Sequence, residues 1–427
     1  MSTQKDVFTQ NDVLVVGAGL AGLTAAWQLA TRQKKVRLVS KGWGATHWHS
    51  GCIDVLGYYP IDEGQPVESP GVTLAKLIAD QPEHPYALVG VSGVEEALTA
   101  FQTLCAEAGY PLYGSLDKNW LLPSAVGTFR PTCLAPETMI AGDLRRDDPM
   151  LIVGIKQLVD FYPNIVAENL MKQGVDATHL MLDLPRLAER NFNTPVIIGS
   201  LMEQADFRAD LVQRIKPKLG TAKRVGLPAI LGRKPSLVVK NDLEKQLGVA
   251  VFEIPGLPPS LAGVRLHAIL LQAIERAGGR VYHGLEGVGI EREGERVTAV
   301  LTEAAARSKP HPFERYVVAT GGILGGGIVT DHQGKAREVV FDLPVTLPES
   351  RLDWFEQDFM NPKGHPVYRA GLTVNDQFQP LNGGSQPVYE NVYAAGTTLS
   401  HSEVVRERSF EGVALSTGFA VGNLLAQ

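Results

Sequence analysis

A glycine-rich turn near the start of the chain is the residue pattern best suited to chemistry. Gly17, Gly19 and Gly22 follow the apolar run 13–16 in a GxGxxG arrangement, and an Ala- and Leu-rich stretch comes after them. The first glycine permits a tight turn, the second lets a phosphate approach the backbone, and the third lets a helix pack closely on the strand. Free N–H groups at the start of that helix attract phosphate. The pattern predicts a nucleotide-binding strand–turn–helix unit.

The end of the next predicted strand, residues 36–40, bears on which nucleotide binds. Dinucleotide sites usually carry an Asp or Glu there, which holds the adenosine ribose. In this chain the positions are Ser40, Lys41 and Gly42. The cofactor is therefore either FAD bound without that contact or a ligand with a single phosphate, such as FMN. Ser40 and Lys41 are predicted cofactor contacts, although Lys41 is equally consistent with a solvated surface lysine.

Cations and histidines supply the remaining candidates for chemistry. A guanidinium group binds phosphate through two parallel hydrogen bonds, so Arg130, Arg265, Arg406 and Arg408 are candidates for binding a phosphate-bearing substrate. Residues 47–51 read His-Trp-His-Ser-Gly, and no further metal ligand is spaced near this pair of histidines. No metal site is therefore predicted.

The last third of the chain must supply the other side of the site. Residues 313–322 read as a strand that ends in Ala-Thr-Gly-Gly, and residues 390–398 as a second strand that ends in a glycine turn. A short strand and turn are predicted at residues 369–380. Because glycine lets backbone approach a ligand closely, the cofactor contacts expected here are Thr320, Gly321, Gly396 and Gly412.

A final helix is predicted over residues 409–425. Ala414, Gly418 and Gly422 are spaced four apart and form one face of small side chains. This face suits close packing against a strand or a cofactor, or simple packing against another helix.

The middle of the chain predicts a separate unit. Residues 94–108 read as a helix, and residues 151–155 and 195–199 as strand-like runs. Residues 257–276 then read as a helix that leads to a strand at 281–283. The predicted fold is α/β: a Rossmann-like flavin-binding domain, formed by residues 1–94 and 255–427, with an α+β cap or substrate domain inserted at residues 95–254.

Composition excludes several classes of protein. The 427 residues are 44% apolar and 20% charged with a net charge of −6, which argues against a nucleic-acid binder. Cys52, Cys105 and Cys133 are scattered, so the chain cannot hold an iron–sulfur cluster by itself. The polar N-terminus is not a signal peptide, and there is no apolar run of about 18 residues. A cytoplasmic protein is expected, reaching the membrane only through a partner.

The order of these segments resembles that of the two-dinucleotide-binding-domain flavoproteins, which include the flavoprotein subunits of fumarate reductase and succinate dehydrogenase. The resemblance covers residues 11–60 and 255–427. A closer resemblance, spanning nearly the whole chain, is to the B subunits of anaerobic glycerol-3-phosphate dehydrogenase. It rests on five segments of the sequence: residues 50–56 (SGCIDVL), 84–90 (HPYALVG), 127–132 (GTFRPT), 153–161 (VGIKQLVDF) and 257–266 (LPPSLAGVRL).

This resemblance implies a function. It implies FMN as the cofactor, a catalytic FAD-bearing A subunit, and an iron–sulfur C subunit that passes electrons to a membrane quinone. The complex would oxidise sn-glycerol 3-phosphate to dihydroxyacetone phosphate at the cytoplasmic face of the membrane. Ser50 and Gly51 would lie beside the flavin ring, and His49 would accept the hydroxyl proton. Two alternatives stay open: a noncatalytic flavin-binding or structural subunit, and another fumarate-reductase-like or ketosteroid-dehydrogenase-like flavoprotein.

Overall fold

The computed structural model describes residues 11–188, 192–303 and 307–427. Most of the polar N-terminal segment on which the signal-peptide prediction rests lies outside these ranges. The strands are β1 (Val13–Val16), β2 (Val36–Ser40), β3 (Leu112–Tyr113), β4 (Trp120–Pro123), β5 (Phe129–Thr132), β6 (Ala135–Pro136), β7 (Met150–Ile155), β8 (Ala177–Leu182), β9 (Arg224–Pro228), β10 (Ala250–Ile254), β11 (Arg280–His283), β12 (Gly287–Glu293), β13 (Arg296–Thr302), β14 (Lys309–His311), β15 (Arg315–Val318), β16 (Ile328–Thr330), β17 (Ala336–Glu338) and β18 (Val392–Ala394).

The helices separate the strands of each parallel sheet. In chain order they are α1 (Leu20–Thr31), α2 (Pro70–Asp80), α3 (Pro85–Glu107), α4 (Glu137–Ile140), α5 (Pro163–Lys172), α6 (Pro185–Ala188), α7 (Pro195–Met202), α8 (Ala205–Ile215), α9 (Val238–Leu247), α10 (Leu261–Arg276), α11 (Gly322–Gly325) and α12 (Phe410–Ala426). None of the helices in the described ranges is long and apolar enough to cross a bilayer.

The central sheet joins the two ends of the chain. It has the strand order β11-β2-β1-β15-β18, and every neighbouring pair is parallel. Val16 at the end of β1 pairs with Val39 of β2 and with Val318 of β15. Because parallel strands end at the same edge of a sheet, the glycine turns that follow β1, β15 and β18 meet there. The predicted α/β dinucleotide-binding fold is confirmed.

The small-residue face of α12 packs on another helix. A Cβ added to Gly418 would overlap the backbone of Ala21 in α1, and one added to Gly422 would lie 2.6 Å from the Cβ of Gln28. The two helices therefore approach closely along their length. The expectation that this face meets a strand or the cofactor is wrong, because α1 covers it.

A second hydrophobic core lies in the middle of the chain. Its buried residues begin at Leu144 and end at Ile254, and they surround the parallel sheet β10-β9-β7-β8. Phe101 of α3 belongs instead to the core of the central sheet. Within residues 95–254 the structure thus combines this parallel sheet with the short antiparallel pairs β3–β6 and β4–β5. The domain boundaries stay a prediction.

Two predicted strands are absent from the described structure. Residues 195–199 form the start of α7, because Thr194 caps the helix by accepting a hydrogen bond from the Ile197 N–H, and Pro195 occupies its first turn. Residues 369–380 form only isolated bridges, such as Thr346 with Gly371. Short apolar runs do not distinguish a buried helix from a strand.

Candidate functional site

The glycine turn has the geometry that the sequence predicts. Gly17 has a φ of +118°, and a Cβ there would overlap the carbonyl oxygen of Ala319. A Cβ on Gly22 would overlap the carbonyl oxygen of Gly17. A Cβ on Gly19, by contrast, would meet no described heavy atom within 4 Å. Gly17 and Gly22 are therefore required for the close contact between strand and helix, whereas Gly19 leaves open space beside the start of α1.

The loop after β2 runs past this turn. Gly44 lies so close that a Cβ on it would be 2.5 Å from the Gly19 nitrogen. Thr46 follows, buried, and its Oγ1 has no hydrogen-bond partner among the described residues. The α1 amides have no side-chain cap at Gly19 either. The turn therefore presents backbone donors and a buried hydroxyl, which suit a phosphate.

Side chains cover the end of β2, where dinucleotide sites hold the ribose. Ser40 Oγ lies 3.1 Å from Nδ1 of His283. The Trp43 ring stacks on His267 with a centroid distance of 5.1 Å and an interplanar angle of 8°. Lys41 is exposed and forms a 2.9 Å ion pair with Glu286. Ser40 and Lys41 thus both have protein partners, and the Trp43 indole lies against His267 and His283.

A buried charge cluster lies beyond the loop. Oδ2 of Asp54 accepts hydrogen bonds from Arg130 Nη2 at 2.7 Å and from Arg408 Nη2 at 3.2 Å. Its Oδ1 accepts a hydrogen bond from Thr132. Burial opposes ionisation of Asp54, but the two arginines outweigh it and hold the pKa of this carboxyl below its usual value. Arg130 also donates to Ser50 Oγ, which ties the cluster to the predicted flavin-contact segment.

His49 and Glu411 form the titratable part of this cluster. Nδ1 of His49 accepts the Gly51 N–H at 3.1 Å and lies 3.8 Å from Oε1 of Glu411. Burial and then the charge of Arg130 lower the pKa of His49 to about 4. Burial and then the charge of Asp54 raise the pKa of Glu411 to about 8. At neutral pH His49 is uncharged with its proton on Nε2, and Glu411 is protonated.

The resulting charge balance favours an anionic ligand. Two guanidinium groups, of Arg130 and Arg408, face the single ionised carboxylate of Asp54. Arg130 Nη1 and His49 Nε2 are buried and have no partner among the described residues. A buried donor without a partner costs about 1–3 kcal/mol, so these donors fit a polar, electron-rich ligand such as a flavin ring or its phosphate.

Two of the predicted contact residues have close partners within the protein, and for Arg265 these partners leave no room for a phosphate. Arg265 is fully buried, and its side chain donates to both carboxylate oxygens of Glu253 (2.7 and 2.9 Å), to the Gly232 carbonyl and to Tyr110. It has no hydrogen-bonding capacity left for a phosphate. A Cβ on Gly412 would overlap the hydroxyl of Tyr86, so close packing requires this glycine, and its contact with the cofactor stays a prediction.

The remaining predicted contacts lie at the ends of the central strands. Thr320 Oγ1 donates to Glu338 at 3.2 Å, and Gly321, with a φ of +92°, caps α11. The Gly396 N–H donates to Thr417 at 2.8 Å. Arg406 donates to the Asn361 carbonyl. The roles of these residues, and those of His49, Ser50 and Gly51, stay predictions.

Sequence reasoning missed Asp54, Glu411 and Trp43. Asp54 lies within the segment that carried the family resemblance, and Glu411 lies in the first turn of α12, where an acid is also a common helix-stabilising residue. Neither signal reveals that both side chains are buried beside arginines. Among the described residues, no group of three or more His, Cys, Asp or Glu side chains is arranged to hold a metal ion.

The sequence of this chain matches a known protein family. Residues 12–409 match the model of the FAD binding domain family. The probable B subunit of the anaerobic glycerol-3-phosphate dehydrogenase of Halobacterium salinarum is 32% identical over 98% of this chain and 98% of its own length. The chain belongs to the FAD binding domain family and, within it, to the anaerobic glycerol-3-phosphate dehydrogenase B subunits.

Other members of this B-subunit family are equally similar. The corresponding protein of Pectobacterium carotovorum is 32% identical, and the match covers 96% of this chain and 97% of that protein. Among solved structures, the 3-ketosteroid Δ1-dehydrogenase of Sterolibacterium denitrificans is 12% identical with a TM-score of 0.46, over 97% of this chain and 99% of that one. The family match identifies a flavin-dependent oxidoreductase family and supports a flavin as the cofactor.

Proposed function

We propose that this chain is the flavin-carrying B subunit of an anaerobic glycerol-3-phosphate dehydrogenase. The complex would oxidise sn-glycerol 3-phosphate to dihydroxyacetone phosphate and pass the electrons through partner subunits to a quinone. The observation that carries this proposal is the 32% identity with named B subunits over 98% of the chain. The partners would be an FAD-bearing A subunit and an iron–sulfur C subunit, through which the complex would reach the cytoplasmic face of the membrane.

The glycine turn and the buried charge cluster would hold the flavin. Gly19, the first amides of α1 and the hydroxyl of Thr46 would bind its phosphate, because α1 has no side-chain cap and Thr46 Oγ1 has no hydrogen-bond partner among the described residues. Ser50, Gly51 and Arg130 would contact the ring. A bound flavin supplies a hydride acceptor for oxidation of a secondary alcohol. The arginines would stabilise the negative charge that ring reduction creates.

FMN is the proposed flavin, with FAD as the alternative. The position that holds the ribose in dinucleotide sites is Ser40, which is bonded to His283 and lies next to the Trp43–His267 stack. No acidic side chain follows β2 to bind ribose hydroxyls. Because FMN has one phosphate and no adenosine, it needs neither an acidic residue after β2 nor space beside Ser40. The family model, which is named for FAD, supports the alternative.

A noncatalytic role within the complex is the second candidate. It is favoured by the state of His49, the proposed proton acceptor. Its Nδ1 already accepts the Gly51 N–H, and its pKa of about 4 makes it a weak base at neutral pH. In this alternative the chain binds flavin and supports the A subunit, which performs the hydride transfer.

Visible spectroscopy of the purified chain and of the complex separates these functions. Under anaerobic conditions, bleaching of the flavin in the isolated chain by sn-glycerol 3-phosphate supports the catalytic role. Bleaching only when the A subunit is added supports the second candidate. Bleaching by a different donor, with none from glycerol 3-phosphate in either preparation, contradicts both.

A further inference from the structure

A cavity lies beside the turn that connects β18 to α12. Its volume is about 260 Å³, and Tyr59, Asp62, Gln81, Lys363, Arg369 and Glu407 contribute to its lining. The next residue of the same turn, Arg408, forms an ion pair with Asp54 in the buried charge cluster. The cavity therefore adjoins the candidate flavin site without sharing its polar side chains.

One segment of chain gives the cavity two exposed cations, of which Arg369 also interacts electrostatically with Glu403. Lys363 and Arg369 are both exposed, and neither side chain has an ion pair or hydrogen bond within the described residues. An ammonium and a guanidinium group that are free to converge on one ligand bind a phosphate group through charge-assisted hydrogen bonds. This part of the cavity suits a phosphomonoester.

Other segments give the cavity hydrogen-bond acceptors. The Glu407 carboxylate is buried, and both of its oxygens have partners: Oε2 accepts from His84 Nε2 at 3.2 Å and from Ser409 at 2.8 Å, and Oε1 accepts the Glu403 N–H at 3.0 Å. Although burial opposes ionisation of Glu407, its hydrogen bond with His84 lowers its pKa. Asp62 and Gln81 line the same space. Carboxylate and amide oxygens accept hydrogen bonds from hydroxyl groups, so this part suits a polyol.

A buried carboxyl, on which the charges of Arg406 and Arg369 act, lies at the margin of the cavity. Glu403 is 1% exposed, and neither of its carboxylate oxygens has a hydrogen-bond partner among the described residues. A Cβ on Gly364, which follows Lys363, would lie 3.5 Å from Oε2 of Glu403. A buried polar group without a partner is rare in folded proteins and marks a position where a ligand or water completes the bonding.

We propose that this cavity binds a small phosphorylated polyol, with Lys363 and Arg369 on the phosphate and Gln81 and Asp62 on the hydroxyl groups. The inference rests on the proposed function, for which it locates the substrate. In place of Arg265, it assigns the phosphate contact to two exposed cations that line the cavity.

Calorimetric titration of the purified full chain tests this location. Wild-type protein should bind sn-glycerol 3-phosphate, and inorganic phosphate should compete. The double variant Lys363→Ala/Arg369→Ala should bind it about tenfold or more weakly, because it removes both charge-assisted contacts with the phosphate. The control is Arg233→Ala/Lys245→Ala, which removes two exposed cations from the inserted region and should leave the affinity within about twofold.

A protection experiment on the wild-type chain avoids dependence on variants. Acylation of lysines followed by peptide mapping should show that sn-glycerol 3-phosphate protects Lys363 and does not protect Lys245, and that glycerol protects neither. If the complex is bleached by glycerol 3-phosphate while the double variant binds like wild type and Lys363 is unprotected, the proposed location is wrong and the function stands. If the chain neither binds the substrate nor is bleached in the complex, both are wrong.

Discussion

Gly19 allows the flavin site to be perturbed without disturbing the fold. Its φ of −73° is accessible to any residue, and a Cβ there meets no described heavy atom within 4 Å. We therefore expect Gly19→Val to change the free energy of unfolding of the flavin-free chain by no more than about 1 kcal/mol, the scale of a helix N-cap substitution.

Two neighbouring glycines provide the matched contrast. In Gly22→Ala the new Cβ would overlap the Gly17 carbonyl oxygen, so α1 must shift away from β1. Overpacking of this kind costs about 1–3 kcal/mol. Gly17→Ala would overlap the Ala319 carbonyl and would also hold alanine at a φ of +118°, which adds about 1–3 kcal/mol. Both losses are large against a total stability of about 5–15 kcal/mol.

Although Gly19→Val should hardly change the stability of the chain, we expect it to lower the affinity for flavin strongly. A valine side chain would occupy the space through which a phosphate reaches the α1 amides. Loss of two charge-assisted hydrogen bonds, at about 1.5–3 kcal/mol each, corresponds to a loss of affinity of about a hundredfold or more.

Urea denaturation of the flavin-free proteins and fluorescence titration with FMN measure the two quantities separately. We expect Gly19→Val to unfold near the wild-type midpoint and to bind FMN poorly, and Gly22→Ala to unfold at lower urea. Wild-type FMN affinity in a folded Gly19→Val protein would refute the assignment of this turn to the phosphate. A Gly22→Ala protein as stable as wild type would refute the close strand–helix contact.

The remaining predictions concern buried charge and cofactor choice. Arg265→Met should lower the free energy of unfolding by about 3–5 kcal/mol in urea, because it leaves Glu253 buried without its partner; adding Glu253→Leu should recover most of the loss, and an unchanged stability in the single variant would contradict the structural role. Glu411, whose pKa is raised to about 8, releases its proton at lower pH when unfolded, so its contribution to stability is full below about pH 4.5 and is lost as the pH rises towards 8. In Glu411→Gln the free energy of unfolding should therefore fall less steeply between these pH values, by up to about 1.4 kcal/mol per pH unit. If the free energies of unfolding of variant and wild type change in parallel with pH, Glu411 is not protonated in the folded chain. Wild type should bind FMN more tightly than FAD, and Trp43→Ala/Ser40→Glu should shift the ratio of dissociation constants towards FAD by about tenfold; an unchanged ratio would show that these residues do not select the flavin.

The local sequence was sufficient to predict the parts of the fold that depend on periodicity and glycine geometry. The GxGxxG turn fixes β1 and α1 because Gly17 and Gly22 are required by backbone contacts that no other residue permits. The terminal helix was also predictable, but its packing partner was not, since a small-residue face suits a helix, a strand or a ligand equally well.

The roles of charged residues could not be predicted, because they depend on contacts distant in sequence. Asp54 meets Arg130 across 76 positions and Arg408 across 354. Arg265 resembles any other phosphate-binding arginine in the sequence, and only its contact with Glu253 on β10 shows that it is structural. The proton state of His49 depends on the Gly51 amide and on burial, neither of which is visible in the motif.

Extraction of the cofactor tests whether the two ends of the chain build one flavin site. Acid extraction of the natively purified chain, followed by chromatography against FMN and FAD standards, should release FMN in amounts equimolar with protein. The extracted chain should recover its visible absorbance when FMN is added back. A folded chain that is colourless as purified and takes up neither FMN nor FAD would show that the two ends of the chain do not form a flavin site.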